Sequence, residues 1–273
     1  MIRSETKKMH NIGEWLKNAQ SLHRMFYGKS NIGLNYEIEF TKNVAIRKKD
    51  FFANKEQCGN SKLDGAMVLP EPPTGKYYVL LDSKLSLEEW KYDLTESFAH
   101  ELTHLEDYLT FAKDYCNNNY VDIPKHDYWL AFYFWSEYHA KWLGYRCMFK
   151  QLASVLETKQ LYELANNHLM EKSNKNLSMY TARLRDKGDC DDYISFLYEA
   201  IRYLAKISVL NDIVPPECQV DVKWDEYLPV PRERAIMLED FLAKHNTYEV
   251  IQGKFEVLRD KINYCFQNIM YIE

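Results

Sequence analysis

From Asn11 to Tyr27 apolar residues recur at helical spacing, with Ile12, Trp15, Leu16, Ala19, Leu22 and Phe26 on one stripe, and YGKSNIG closes the run with two glycines. The spacing predicts an amphipathic helix. The period then falls to two in LNYEIEF, where Leu34, Tyr36, Ile38 and Phe40 alternate with Asn35, Glu37 and Glu39. That is the pattern of a half-buried strand. AMVLP and KYYVLLDS are two further strand candidates, separated by the turn-forming PEPPTGK.

A helical period returns at SLEEW. Ser86 and Glu89 have the spacing of a capping box, and Leu87, Trp90, Leu94, Phe98, Leu102 and Leu109 predict a helix running to about Phe111. After the polar break DYCNNNYVDIPKHD, Pro124 fits the beginning of a second long helix, YWLAFYFWSEYHAKWLGYRCMFKQL. From about Leu152 the pattern is helical throughout. SFLYEAIRYLAKI is one amphipathic segment, and Ile251, Phe255, Leu258, Ile262, Cys265 and Ile269 mark the last. No fixed-period repeat or low-complexity tract appears, and nothing marks a flexible linker before the second half. The expected fold is α+β and mainly α: a small sheet packed on a pair of helices in residues 1–150, then a helical region in residues 151–273 that can be integrated with it.

Composition narrows the function classes. An apolar fraction of 46% supplies a core, and a formal charge of −5, with cations scattered among acids, offers no basic face for phosphates. Nucleic acid is therefore not an expected partner. The N-terminus lacks the uninterrupted apolar run of a signal peptide and no window is long enough to span a bilayer, so a cytoplasmic protein without membrane association is expected. Six well-separated cysteines lack the close pairs of a zinc ribbon or redox motif and are read as reduced thiols.

The chemistry is concentrated in FAHELTHLEDY. On a helix, residues four apart share a face about 6 Å apart along the axis, so His100 and His104 can aim at one point. A zinc ion held there takes one more protein ligand and leaves a position for water, which Glu101 is placed to hold and deprotonate. This is the H-E-x-x-H pattern of zinc peptidases. The extended form of the motif needs glycine at 107 and histidine at 110, where Asp107 and Thr110 stand, so the third ligand is expected from another helix. Glu137 is the best candidate. It lies among Phe134, Trp135 and Trp142, where an unpaired carboxylate is costly, and Ala140 and Gly144 near its face would let two helices approach. His126, His139 and Glu106 are weaker substitutes; His139, two residues on at about 100° each, points about 160° away from Glu137. Glu96 and Asp107 are candidates to orient the histidines. Tyr133, Tyr138, His139 and His126 are candidates to assist a developing oxyanion.

His100-Glu101-Leu102-Thr103-His104 followed by Glu137 resembles the gluzincin zinc peptidases, in which a glutamate on a later helix completes the site. The order of helix, short strands, motif helix and glutamate helix, over about Asn11 to Lys150, is similar to the ImmA/IrrE type of intracellular bacterial and phage peptidase. The resemblance implies Zn2+ bound by His100, His104 and Glu137, with Glu101 as general base. It also implies a strand such as Tyr77 to Leu81 that takes substrate backbone by strand addition. The chain departs from that type at Thr103, where glycine is common, keeps only an E-x-x-A echo in Glu137 and Ala140, and shows no helix-turn-helix. The leading expectation is thus a zinc metallopeptidase acting on a protein or peptide. The competing ones are a helical interaction protein with a structural or vestigial metal site, and a hydrolase of some other amide.

Overall fold

A computed structural model describes residues 2–28, 36–51, 65–68, 77–186, 190–219 and 228–267. The architecture is α+β and mainly α. The chain divides into two compact units, Met1–His126 with Leu143–Leu152, and Asp127–Trp142 with Ala153–Glu273. One continuous helix, Trp129–Leu152, contributes to both.

In the first unit, helix α1 (Ile2–Tyr27) precedes strand β1 (Tyr36–Thr41), a short helix α2 (Val44–Phe51), and strands β2 (Gly65–Val68) and β3 (Tyr77–Asp82). Strand β3 is the middle of the sheet, parallel to β1 and antiparallel to β2. Its position explains its sequence. A strand covered on both faces reads as a near-continuous apolar run, and YYVLL is one. Val79 and Leu81 join Ala19 of α1 and Leu94, Phe98 and Leu102 of the motif helix in one cluster, whereas Leu80 packs on the other face with Ala66 and Val44. The alternation of β1 follows the same division, with Tyr36, Ile38 and Phe40 on the first cluster. Glu39, on the other face, accepts two hydrogen bonds from Arg47 of α2, at 2.6 and 3.0 Å.

Helix α3 (Lys91–Tyr115) carries the histidine motif. It does not begin with the expected capping box. The Asp82 side chain accepts from the Lys84 amide at 2.8 Å and starts a 3-10 turn, Ser83–Ser86. Ser86 Oγ donates backward to the Ser83 carbonyl at 2.7 Å, so its hydroxyl is committed to that turn and a second 3-10 turn, Glu88–Trp90, leads into the helix. The C-terminus lies four residues beyond Phe111, where Asn117 and Asn118 take left-handed backbone angles (φ 51° and 62°) and end the helix. Pro124 likewise sits inside a 3-10 segment, Tyr120–Lys125, and helix α4 (Trp129–Leu152) starts later.

The second unit combines the first half of α4 with α5 (Thr158–Arg185), α6 (Cys190–Ile213), α7 (Arg232–Lys244), a single turn α8 (Tyr248–Ile251) and α9 (Phe255–Phe266). Its core is aromatic. Phe132 and Trp135 of α4 meet Phe255 with ring centroids 5.9 and 6.2 Å apart, and Trp135 Nε1 donates to the His245 carbonyl at 2.7 Å. The apolar series expected to form one last helix is interrupted after Ile251 by Gly253 at φ 76°, and its final member, Ile269, lies outside the described residues. Among the described residues no helix is long and apolar enough to cross a membrane. Five cysteines there are free thiols, with Cys116, Cys147 and Cys265 buried; Cys58 lies outside the described residues.

Candidate metal centre

His100 and His104 stand one turn apart on α3, and their Nε2 atoms are 3.1 Å from each other. The rings meet edge to face at 4.6 Å. Two donors on a tetrahedral zinc at 2.0–2.1 Å are separated by about 3.3 Å, so the imidazoles are spaced as a shared cation requires. Glu137 of α4 completes the group: one ligand-capable atom from each of His100, His104 and Glu137 lies within 4.8 Å of the other two. This is the one such group of histidine, cysteine or acidic side chains among the described residues. His126, His139 and Glu106, the alternative third ligands, are not part of it. His126 packs edge-on against Phe111 and Tyr115, and His139 lies against Trp135 with centroids 4.9 Å apart. Two neutral imidazoles and one carboxylate form a donor set that fits zinc.

The four residues of the motif and its third-ligand candidate are all buried. His100, Glu101, His104 and Glu137 keep 8%, 7%, 6% and 6% exposure, whereas Ala99, Thr103 and Leu105 keep none. Glu101 is further confined by β2. Gly65 pairs with Leu81 and so faces α3, and a Cβ built on it would stand 3.0 Å from both Cγ and Oε1 of Glu101. The strand begins with glycine where the carboxylate side chain lies against it.

Thr103 turns to the opposite side of α3. Its Oγ1 donates to the Ala99 carbonyl at 2.8 Å and lies 3.2 Å from Nε2 of His23, buried on α1. Because the hydroxyl proton is used on Ala99, the ring nitrogen is the donor in the second bond. Asp107 is also directed to α1, accepting from the Tyr27 hydroxyl at 3.0 Å. Glu96 accepts from Ser97 Oγ at 3.4 Å, and its main-chain carbonyl faces Gly144 of α4.

Around Glu137, Tyr133 stands one turn earlier on α4 and stacks on Tyr198 of α6 at 6.0 Å. Burial drives the Tyr133 phenol well above its ordinary range, the Glu137 charge adds to the rise, and Arg202 opposes it. Tyr198 is raised in the same way, first by burial, with Arg202 pulling down and Glu137 pushing up. Both phenols therefore keep their protons and can donate. Tyr138 is committed elsewhere, with its hydroxyl 2.6 Å from Ser208 Oγ. Sequence reasoning missed Gly65, Tyr108 and Tyr198. Tyr108 continues the 100, 104 spacing and was legible from it; Gly65 directly precedes the strand candidate AMVLP; Tyr198 carries no local signal.

The expected strand for substrate addition is corrected by the sheet. Tyr77 to Leu81 belongs to the middle strand, paired to β1 on one side and β2 on the other, and has no open edge. Comparison of the chain with known proteins finds no matching family model, no matching curated protein and no matching solved structure.

Proposed function

We propose that the chain is a zinc-dependent peptidase in which His100, His104 and Glu137 hold the cation and Glu101 is the general base. The observation that carries this reading is the convergence of the three ligand-capable atoms beside a glutamate that metal binding itself does not require. When bound, the cation supplies Lewis acidity, making water acidic enough to lose a proton near pH 7. Glu101 would take that proton and deliver it to the leaving amine. Gly65 leaves room for this carboxylate beside the first residue of β2. Tyr133 and Tyr198, protonated and electrostatically coupled to Glu137, are the candidate donors to an oxyanion. With β3 paired on both sides, a substrate backbone adding to the sheet near Glu101 would do so along β2.

A structural metal site in a non-catalytic helical protein is the second reading, favoured by the deep burial of all four residues. Glu101→Gln separates the two. Zinc content measured after dialysis and hydrolysis of a mixture of internally quenched peptides are compared with the parent chain. The peptidase reading expects equal zinc and a fall in hydrolysis of about 10²-fold or more. Equal hydrolysis in variant and parent would remove Glu101 from its role, and absence of hydrolysis in a zinc-loaded parent would favour the structural reading.

A further inference from the structure

Between Ser97 and Leu109 every residue of α3 is buried except Tyr108, which is partly exposed. It stands one turn beyond His104, and its ring meets the His104 ring nearly at right angles with centroids 6.1 Å apart. Helical side chains lean toward the N-terminus, so a residue at this position covers the turn that carries His104. The face formed by His100, His104 and Tyr108 is thus closed at its first two positions and opens at the third. A tyrosine packed only in the core would be covered like its neighbours on this helix.

We infer that Tyr108 is a specificity-determining residue of the centre: its partly exposed ring, lying against the His104 imidazole, packs against the substituent next to the group that reaches the cation. The preferred substrates are then peptides with an aromatic or bulky apolar residue beside the cleaved bond. The inference rests on the proposed metal centre. An aromatic ring beside a bound group contributes through offset or edge contacts, and loss of one such contact changes affinity by about fivefold.

The test uses the chain loaded with Co2+, whose visible absorption reports on the ligand sphere, and two metal-binding probes, acetohydroxamate and benzohydroxamate. The ratio of their dissociation constants is measured for the parent, Tyr108→Phe, Tyr108→Leu and Tyr108→Ala. The expected result is a preference for the aryl probe that is about fivefold greater in the parent and in Tyr108→Phe than in Tyr108→Ala, with Tyr108→Leu in between. Tyr108→Leu fills the same space without a ring and keeps the comparison valid where the alanine variant folds poorly. An unchanged ratio across the series overturns the role of Tyr108 and leaves the metal centre standing. A parent chain that develops no cobalt absorption overturns both, and so identifies the metal centre as the point of failure.

Discussion

A Cβ built on Gly144 of α4 would stand 2.8 Å from the main-chain carbonyl oxygen of Glu96 on α3 and 3.4 Å from Cβ of His100. The nearer atom belongs to the backbone and cannot swing aside. Gly144 is therefore a point of close approach between the second half of α4 and the motif helix, and Glu137 lies two turns earlier on the same rod. Gly144→Ala gains about 1 kcal/mol of helix propensity, but forcing the contact apart costs about 1–3 kcal/mol. The expected outcome is a net loss of stability in denaturant unfolding, and zinc affinity weakened about tenfold because Glu137 shifts with its helix. Unchanged zinc affinity would show that the position of Glu137 does not depend on this contact.

Gly65→Ala tests a different kind of crowding. The new methyl group would meet Cγ and Oε1 of Glu101 at 3.0 Å, atoms of a side chain that can rotate away. Stability should change by less than about 1 kcal/mol, and zinc content should not change. In the proposed peptidase the displaced carboxylate no longer aligns with the water, and turnover falls by about 10- to 100-fold. The diagnostic pattern is lost turnover with the fold and the metal intact; equal turnover would show that β2 does not hold Glu101 in place.

Metal removal gives a prediction that does not depend on catalysis. Zinc at about 100 times its dissociation constant stabilises the fold that binds it by about 2.7 kcal/mol. For units of this size that raises Tm by about 5–10 °C. Chelation should reverse the rise. In His104→Ala or Glu137→Ala the zinc-induced rise should vanish, whereas in His126→Ala, whose ring packs on Phe111 and Tyr115, it should persist. A rise surviving in Glu137→Ala would mean that another side chain supplies the third ligand.

The candidate cluster was legible because its parts are coupled to simple periodicities. The i, i+4 spacing of His100 and His104 fixes their geometry as soon as α3 is a helix, and the alternation of Tyr36, Ile38 and Phe40 places β1 on the α3 side of the sheet. Glu137 was legible through cost, as a carboxylate among large aromatics. What periodicity could not show is competition among neighbouring polar groups. Ser86 has the spacing of a cap, but Asp82 starts a 3-10 turn first and the hydroxyl is used within it. Strand order was equally hidden: β3 has the apolar run of a strand covered on two faces, yet only the pairing shows that it has no edge to offer. The role of Gly65 depends on a contact between residues 36 apart in sequence, which no local pattern encodes.

A second buried polar group, in the other unit, gives the pH dependence. Glu239 of α7 accepts a hydrogen bond from Ser208 of α6, whose Oγ also meets the Tyr138 hydroxyl of α4. Burial raises the Glu239 carboxyl above its ordinary value of 4.5; Asp240 and Asp212 add to the rise, and the Ser208 hydrogen bond opposes it. The folded chain therefore holds a proton that the unfolded chain has already released. This contribution to stability is complete below pH 4.5 and is lost as pH rises through the folded value. Glu239→Gln removes the ionisation and keeps an oxygen for Ser208. Many carboxylates titrate in the same range, so the quantity to measure is the Tm difference between variant and parent at a series of pH values. It should move in favour of the variant as pH rises from 4 to 7. A difference that stays constant over this range would mean that Glu239 ionises alike in the folded and unfolded chain, and that its hydrogen bonds offset the whole cost of burying the charge.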